Sequence, residues 1–243
     1  IDDSHRYYLP FSGAGLSVRH VCVALCRRAG AVSLVSPEGS AKQKGVGGIW
    51  LLAYGLPCII RLQGTPERLP LYPVSLQVGA GVSLPGVLAA KCGAKVILSD
   101  SAELPQCLEN CRRSCNWNNI TGVPVVGLTW GEISPELLDL PPIDIILGSD
   151  VFYEPKDFED ILLTVRFLME RTPRAEFWTT YQVRSADWSI EALLCKWNLK
   201  CTGVPLKTFG ADRECLAGSE LPGRHTVQMM IITLDREAAG CTA

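Results

Sequence analysis

Downstream of Leu71, short apolar runs alternate with amphipathic segments at regular intervals. The runs are rich in β-branched residues, as strands are, and the segments between them repeat with a helical period. The pattern predicts strands at 74–78, 94–99, 123–128, 143–148, 175–180, 199–204 and 226–234, and helices at 83–92, 103–115, 156–170 and 185–197. The predicted fold class is α/β, with seven strands in a mostly parallel sheet and helices on both faces.

The first 73 residues show no comparable order. Apolar residues cluster at 21–35 and 49–60, but glycines and prolines interrupt both clusters, and neither a helical nor a strand period persists. We expect an atypical region there, either disordered or foreign to the domain. The predicted organisation is an atypical N-terminal region at 1–73, the main domain at 74–235 with an irregular loop at 205–223, and a C-terminal tail at 236–243.

Composition narrows the function classes. The 243 residues carry a formal net charge of −2 and have a pI of about 6.0. Proteins that bind nucleic acid or membrane surfaces through charge usually concentrate Lys and Arg instead. No apolar run reaches about 18 residues, the minimum for a membrane-spanning helix. We expect a soluble intracellular protein with no direct nucleic-acid partner and no membrane partner.

The cysteines do not form a metal-binding pattern. There are 11 of them, without a CxxC pair, and the 3 histidines are scattered along the chain. Cys107, Cys111 and Cys115 recur every four residues, which places them on one face of a helix as small buried thiols. The sequence therefore predicts no metal site, and an odd number of thiols suits a reducing compartment.

A glycine turn follows the first predicted strand. Gly79-Ala80-Gly81 stands between this strand and a helix, where glycine permits a tight turn and close approach of the backbone to a ligand. A dinucleotide fingerprint requires a third glycine three residues later, but that residue is Leu84. The turn therefore fits a dinucleotide poorly, and it predicts either another kind of ligand site or only a sharp connection.

Two further candidates follow the next two strands. Asp100 ends the second strand about 20 residues after the glycines, where an acidic side chain can bond ribose hydroxyls. The alternative role for Asp100 is the N-cap of the following helix. Trp130 lies just past the third strand, where its ring can stack on an adenine or anchor the core. We expect both residues beside the glycine turn, because parallel strands end at one edge of a sheet.

The fourth strand ends in a polar cluster. Ser149, Asp150, Tyr153 and Glu154 follow its apolar run, at the edge where an open α/β sheet binds ligands. Asp150 is also placed to cap the helix that begins near Pro155, but the cluster holds more polar groups than a cap requires.

Together, VGAGVSLPG, ILSD, LTWGE and ILGSDVFYEP resemble the S-adenosylmethionine-dependent methyltransferases of the family-16 protein methyltransferase group. YQVRSADWS at 181–189 and LPGRHTV at 221–227 extend the resemblance, which covers about 76–232. It implies a Rossmann-like methyltransferase sheet and the cofactor S-adenosyl-L-methionine. Family members mainly methylate lysine side chains of proteins, whereas the member most similar to this sequence is regarded as a histone arginine methyltransferase of nucleus and cytoplasm.

The resemblance implies a role for each element. The glycine turn lines the methionine part of the cofactor, the acid after the second strand holds the ribose, and the indole packs on the adenine. The implied cofactor-binding residues are Gly79, Ala80, Gly81, Asp100, Trp130, Ser149 and Tyr153, and the candidate catalytic residues are Asp150, Tyr153 and Glu154. Carboxylates would orient a guanidinium, whereas a desolvated pocket beside Tyr153 would lower the pKa of a lysine.

Two departures from the family pattern keep alternatives open. Gln77 stands where members usually carry an acid, which predicts weaker binding of the cofactor's ammonium group. Residues 1–73 lack the family's Trp-Pro pair. The sequence predicts a protein methyltransferase, most simply a histone arginine methyltransferase. The alternatives are a lysine methyltransferase and an impaired cofactor-binding or scaffolding protein. A protein substrate is the expected partner, with chaperones and transcription regulators as further candidates.

Overall fold

The computed structural model describes residues 73–91, 93–182, 185, 189–205, 207 and 227–236. Its strands are β1 (Val74–Val78), β2 (Lys95–Asp100), β3 (Val125–Gly127), β4 (Ile145–Ser149), β5 (Glu176–Gln182), β6 (Leu199–Val204) and β7 (Val227–Leu234). Its helices are α1 (Leu84–Lys91), α2 (Pro105–Trp117), α3 (Pro135–Leu138), α4 (Phe158–Arg171) and α5 (Glu191–Lys196), with a 3₁₀ turn at Pro155–Asp157.

The strands form one sheet in the order β3-β2-β1-β4-β5-β7-β6. Strands β1 to β5 pair in parallel, and β7 runs antiparallel to both β5 and β6. The prediction of seven strands in a mostly parallel sheet is confirmed. Strand order reverses at β1, which lies between β2 and β4, so a crevice opens at the carboxyl ends of these strands.

Both faces of the sheet are covered, as a parallel sheet requires. One apolar layer packs α4 and α5 against residues such as Leu76, Ile146 and Phe177. The other packs residues from the α1 and α2 side, including Cys111, against strand residues such as Leu147. Neighbouring residues of β4 therefore enter opposite layers, since side chains alternate along a strand.

The helices differ from the prediction in two places. The sequence reading missed α3, whose signal is Ser134 before Pro135: the Ser134 hydroxyl accepts a 3.3 Å hydrogen bond from the N–H of Leu137. Helix α5 is shorter than the predicted 185–197. The N-terminal region up to residue 72, most of the predicted loop at 205–223 and the tail from 237 lie outside the described residues, so the predicted domain boundaries stay predictions.

Candidate active site

The glycine turn leaves β1 in a left-handed conformation. Gly79 and Gly81 have φ angles of +54° and +52°, which glycine adopts without steric cost. A Cβ on Gly79 would lie 2.9 Å from Cζ2 of Trp130, whereas a Cβ on Gly81 would meet no atom within 4 Å. The turn is therefore closed by the indole at Gly79 and open at Gly81, where a ligand has room.

Asp100 is bonded to the glycine turn. Its Oδ2 accepts a 2.7 Å hydrogen bond from the N–H of Gly81, and its Oδ1 accepts one of 2.8 Å from the N–H of Ser101. The N-cap position of α2 is Leu104 and no side chain caps it, so the alternative role of Asp100 as an N-cap is wrong. The carboxylate is half-buried, and each oxygen has a second lone pair for a ligand hydroxyl.

Gln77 lies beneath the same turn. Its side chain is 1% exposed. The amide oxygen accepts a 2.8 Å hydrogen bond from the N–H of Gly86, and the amide nitrogen is 3.4 Å from the carbonyl oxygen of Ala80. The residue that stands in place of the family's acid is thus part of the turn's support.

Trp130 is fixed by the residues on either side of it. The N–H of Leu128 donates to the carbonyl of Asp100 at 2.9 Å, and the N–H of Gly131 donates to Oγ1 of Thr164 in α4 at 2.9 Å. The indole is half-buried, packs against the core and borders Gly79. Trp130 therefore anchors its loop and also forms one wall beside the glycine turn.

The end of β4 carries a strained residue. Asp150 has a φ of +55°, and its N–H donates to the carbonyl oxygen of Thr180 at 3.0 Å and to Oγ1 of Thr180 at 3.2 Å. The cap residues of the 3₁₀ turn and of α4 are Glu154 and Asp157, so the capping role considered for Asp150 is wrong. The neighbouring Ser149 has a buried Oγ without a hydrogen-bond partner among the described residues. Strained backbone of this kind concentrates at functional sites.

Tyr153 faces outward from this cluster. Its side chain is 52% exposed, whereas Phe152 before it is buried and packs edge-on against Phe158 at 5.3 Å. Partial burial raises the pKa of the Tyr153 hydroxyl, and the nearby charges of Asp157, Asp100 and Glu154 raise it further. Tyr153 therefore keeps its proton at neutral pH, in surroundings that are acidic.

The structure thus brings the predicted site residues to one edge of the sheet. Gly81 bonds to Asp100, and Trp130 borders Gly79. Tyr153 lies near enough to Asp100 for the carboxylate charge to raise the pKa of the Tyr153 hydroxyl. The sequence reading missed Thr180 and Ser99. Ser99 is buried; its carbonyl oxygen accepts from Ala80 N–H at 2.9 Å and its hydroxyl donates to the carbonyl oxygen of Gln77 at 2.9 Å. The available signal was a polar residue inside an apolar strand.

The described residues contain neither a membrane-spanning helix nor a cluster of metal-binding side chains. None of the helices in the described part of the chain is long and apolar enough to cross a membrane. Those residues also contain no group of three or more His, Cys, Asp or Glu side chains arranged to hold a metal ion.

Solved structures share this fold. A magnesium protoporphyrin IX methyltransferase from Synechocystis with bound S-adenosylmethionine aligns with a TM-score of 0.53 at 13% identity, over 92% of this chain and all of that chain. The glycopeptide N-methyltransferase MtfA aligns with a TM-score of 0.53 at 11% identity, over 75% and 90%. A family model described as lysine methyltransferase matches residues 71–189. The fold is therefore that of the Rossmann-like methyltransferases, and the family model that matches residues 71–189 is also one of methyltransferases.

Sequence relatives narrow the class. A Xenopus laevis protein named histone-arginine methyltransferase METTL23 is 89% identical over 167 residues, which are 69% of this chain and 71% of that protein. The chain belongs to the METTL23 family of protein methyltransferases. The human METTL23 is 64% identical over 67% of this chain and 86% of its own length. A Xenopus tropicalis protein N-lysine methyltransferase, METTL21A, is 33% identical over 37% of this chain.

Proposed function

We propose that this protein transfers a methyl group from S-adenosylmethionine to arginine side chains of histones. Relatives that are 89% and 64% identical carry that activity in their names. The segment that the family model matches, residues 71–189, includes the carboxyl ends of β1 to β5. The observation that carries the proposal is the pair of acidic residues held at this edge: Asp100 is bonded to Gly81, and the backbone of Asp150 is held by Thr180. The charges of Asp100, Glu154 and Asp157 also raise the pKa of the Tyr153 hydroxyl, after its partial burial.

The crevice residues fit the cofactor. Gly81 opens to free space, and Asp100 lies beside it with lone pairs for two ribose hydroxyls. The buried Oγ of Ser149 has no partner among the described residues, so it is available to a polar group of the ligand. We assign Gly79, Ala80 and Gly81 to the methionine part of the cofactor, Asp100 to the ribose and Trp130 to the adenine. Ser149 and Tyr153 are assigned to the side of the site that follows β4. The cofactor supplies, when bound, an electrophilic methyl group on a sulfonium.

The protein's own task is alignment and exclusion of water. A direct displacement needs the nucleophile held in line with the group it attacks, and little acid-base chemistry. Asp150 and Glu154 are the carboxylates proposed to orient the guanidinium and to accept the proton that it releases. The strained backbone of Asp150 is fixed by its two bonds to Thr180, so its position is set before substrate binds.

The acidic surrounding favours arginine over lysine. A lysine must lose its proton before it can act as a nucleophile, and nearby carboxylates raise its pKa and oppose that loss. A guanidinium instead donates planar, charge-assisted hydrogen bonds to carboxylates. Lysine is the second candidate acceptor because the matching family model carries that description and METTL21A relatives are named lysine methyltransferases.

Mass spectrometry of a histone mixture tests this proposal. The purified chain and methyl-labelled cofactor should label arginine, and Asp150→Asn should lower the labelling at least tenfold because it removes the charge while keeping the shape. Asp139→Asn is the matched control, since Asp139 is an exposed carboxylate at the end of α3. Label on lysine alone would replace arginine as the acceptor, and no label with any variant would contradict the enzymatic function.

We also propose that the protein acts in both nucleus and cytoplasm on protein substrates, with chaperones and transcription regulators as candidate partners. The support is the family resemblance. Fractionation of cells that express the full chain, followed by immunoblotting, should find it in both fractions, and its confinement to membranes would contradict the proposal.

A further inference from the structure

We infer that Gln77 is a positioning residue for the cofactor site, because its side-chain amide holds the glycine turn and the start of α1 in one arrangement. The inference rests on the proposed function, since it concerns how well the turn is formed for S-adenosylmethionine. It adds a structural role to the expectation that Gln77 binds the cofactor's ammonium group more weakly than an acid would.

The start of α1 needs an acceptor from outside the helix. The first N–H groups of a helix have no partner within it. Pro85 carries no N–H, and among the described residues the hydroxyl of Ser83 accepts no hydrogen bond from the N–H groups of the helix. The N–H of Gly86, third in α1, is met by the amide oxygen of Gln77 at 2.8 Å. A side chain of β1 thus caps the helix that follows the turn.

Close packing makes this bond specific. A Cβ on Gly86 would lie 2.6 Å from the amide oxygen of Gln77 and 2.5 Å from Cδ2 of Leu98. Only a glycine lets α1 approach β1 and β2 so closely, which is the packing role that dinucleotide folds give to their third glycine. Gly86 and Gln77 therefore act as a pair.

The same amide touches the turn itself. Its nitrogen is 3.4 Å from the carbonyl oxygen of Ala80, which also accepts the N–H of Ser83. This second bond is long, so the oxygen's bond to Gly86 dominates. The amide of Gln77 bonds to Ala80 and to Gly86, which lie on either side of Gly81 in the sequence. Loss of the amide should therefore loosen the backbone at Gly81, where the cofactor is proposed to bind.

The Ala80 contact is secondary, so a carboxylate at position 77 should serve nearly as well as the amide. It retains the acceptor for Gly86, and the positive end of the helix dipole favours it. An apolar side chain of the same length leaves a buried N–H without a partner.

Calorimetric titration with S-adenosylmethionine tests the inference. Gln77→Met should weaken binding about tenfold, as expected for one buried donor left unpaired, and Gln77→Glu should stay within about threefold of wild type. In kinetics the Met variant should raise the KM for the cofactor and leave kcat nearly unchanged. Asp144→Ala is the matched control, because Asp144 accepts a 2.8 Å bond from the N–H of Val74 at the opposite end of β1. It should lower stability and leave cofactor binding unchanged.

Hydrogen exchange gives a second readout without cofactor. The amide of Gly86 should exchange slowly in wild type and in Gln77→Glu, and at least tenfold faster in Gln77→Met if that variant folds. Wild-type protein that binds no cofactor would overturn the proposed function together with this inference. Tight binding by wild type and by the Met variant alike, loss of binding by the Glu variant, or a fast Gly86 amide in wild type would overturn this inference alone.

Discussion

The chain reverses direction both at the amino edge of the sheet, where the parallel strands begin, and at the carboxyl edge, where they end. Different residues make the turns at the two edges. At the amino edge, residues with positive φ follow helices: Gly93, Asn119 and Asn198 come after α1, α2 and α5. Glycine and asparagine at such helix ends are an ordinary way to end a helix. At the carboxyl edge, positive φ occurs in the connections that lead from strands to helices, and two of the residues, Ser83 and Asp150, are neither glycine nor asparagine.

The difference shows that backbone conformations which lower the stability of the fold are concentrated at the carboxyl edge, where the candidate site lies. The amino edge uses residues that adopt their backbone conformation at little cost. The carboxyl edge holds costly conformations in place with backbone N–H groups that donate to side-chain oxygens, from Gly81 to Asp100 and from Asp150 to Thr180. The side chain of Gln77 likewise accepts from the N–H of Gly86 at the start of α1. Substitutions at this edge should therefore separate stability from ligand binding, whereas substitutions at the amino edge should change stability alone.

The two glycines of the turn should show the largest effect. Gly79→Ala should lower the free energy of unfolding by about 3 kcal/mol, because left-handed strain of about 1 kcal/mol combines with overpacking against Trp130. Gly81→Ala has nearly the same φ and open space, so it should lose only about 1 kcal/mol and weaken cofactor binding instead. Urea unfolding and calorimetry measure both quantities, and equal losses of stability would remove the distinction between the two glycines.

The next largest effect is expected in the stability of the protein at alkaline pH, through the thiol of Cys111 beside the glycine turn. Cys111 lies against the turn, with Sγ 3.7 Å from the carbonyl oxygen of Gly81, and burial raises its pKa to about 11. The folded state then holds this proton where the unfolded thiol has lost it, so the stabilising contribution is full below about pH 9 and is lost as pH rises to about 11.

For Cys111 this loss amounts to about 2–3 kcal/mol in the free energy of unfolding. Cys111→Ala should flatten the wild-type decline between pH 9 and 11 by that amount, as measured by urea unfolding at several pH values. Cys115→Ala, one helical turn further from the glycine turn, should flatten it less. The same slope in wild type and in both variants would show that the thiol under the turn does not contribute.

The smallest effect concerns strain at Asp150. Asp150→Gly should raise the free energy of unfolding by about 1 kcal/mol because glycine adopts a φ of +55° freely, while methyl transfer falls with the lost carboxylate. At the amino edge, Asn198→Gly should change stability by less than about 0.5 kcal/mol, because asparagine is one of the residues that ordinarily adopt this conformation just after a helix. Thermal unfolding compares the two, and a destabilised Asp150→Gly would refute strain at this position.

Sequence patterns could place the edge but not its hydrogen bonds. The period of the strands and the alternation with helices are local signals, and parallel strands must end together, so Asp100, Trp130 and Asp150 could be assigned to one crevice. The antiparallel direction of β7 depends on its pairing with β5 and β6, which no local pattern encodes.

The hydrogen bonds that side chains make across the glycine turn could not be predicted from the sequence either. Gln77 caps a helix that begins seven residues later in the chain, and Asp100 bonds to Gly81 rather than to its own helix. A polar residue inside an apolar strand signals that some partner exists, but the partner is fixed by tertiary packing. The difference in room around Gly79 and Gly81 likewise depends on Trp130, which is distant in sequence.

Calorimetric titration of S-adenosylmethionine into wild type and Asp100→Ala tests most directly that the carboxyl edge is the cofactor site. Wild type should bind one equivalent, and the variant should bind about a hundredfold more weakly, because a charged acceptor for ribose hydroxyls is lost. No binding by wild type, or equally tight binding by Asp100→Ala, would contradict this assignment.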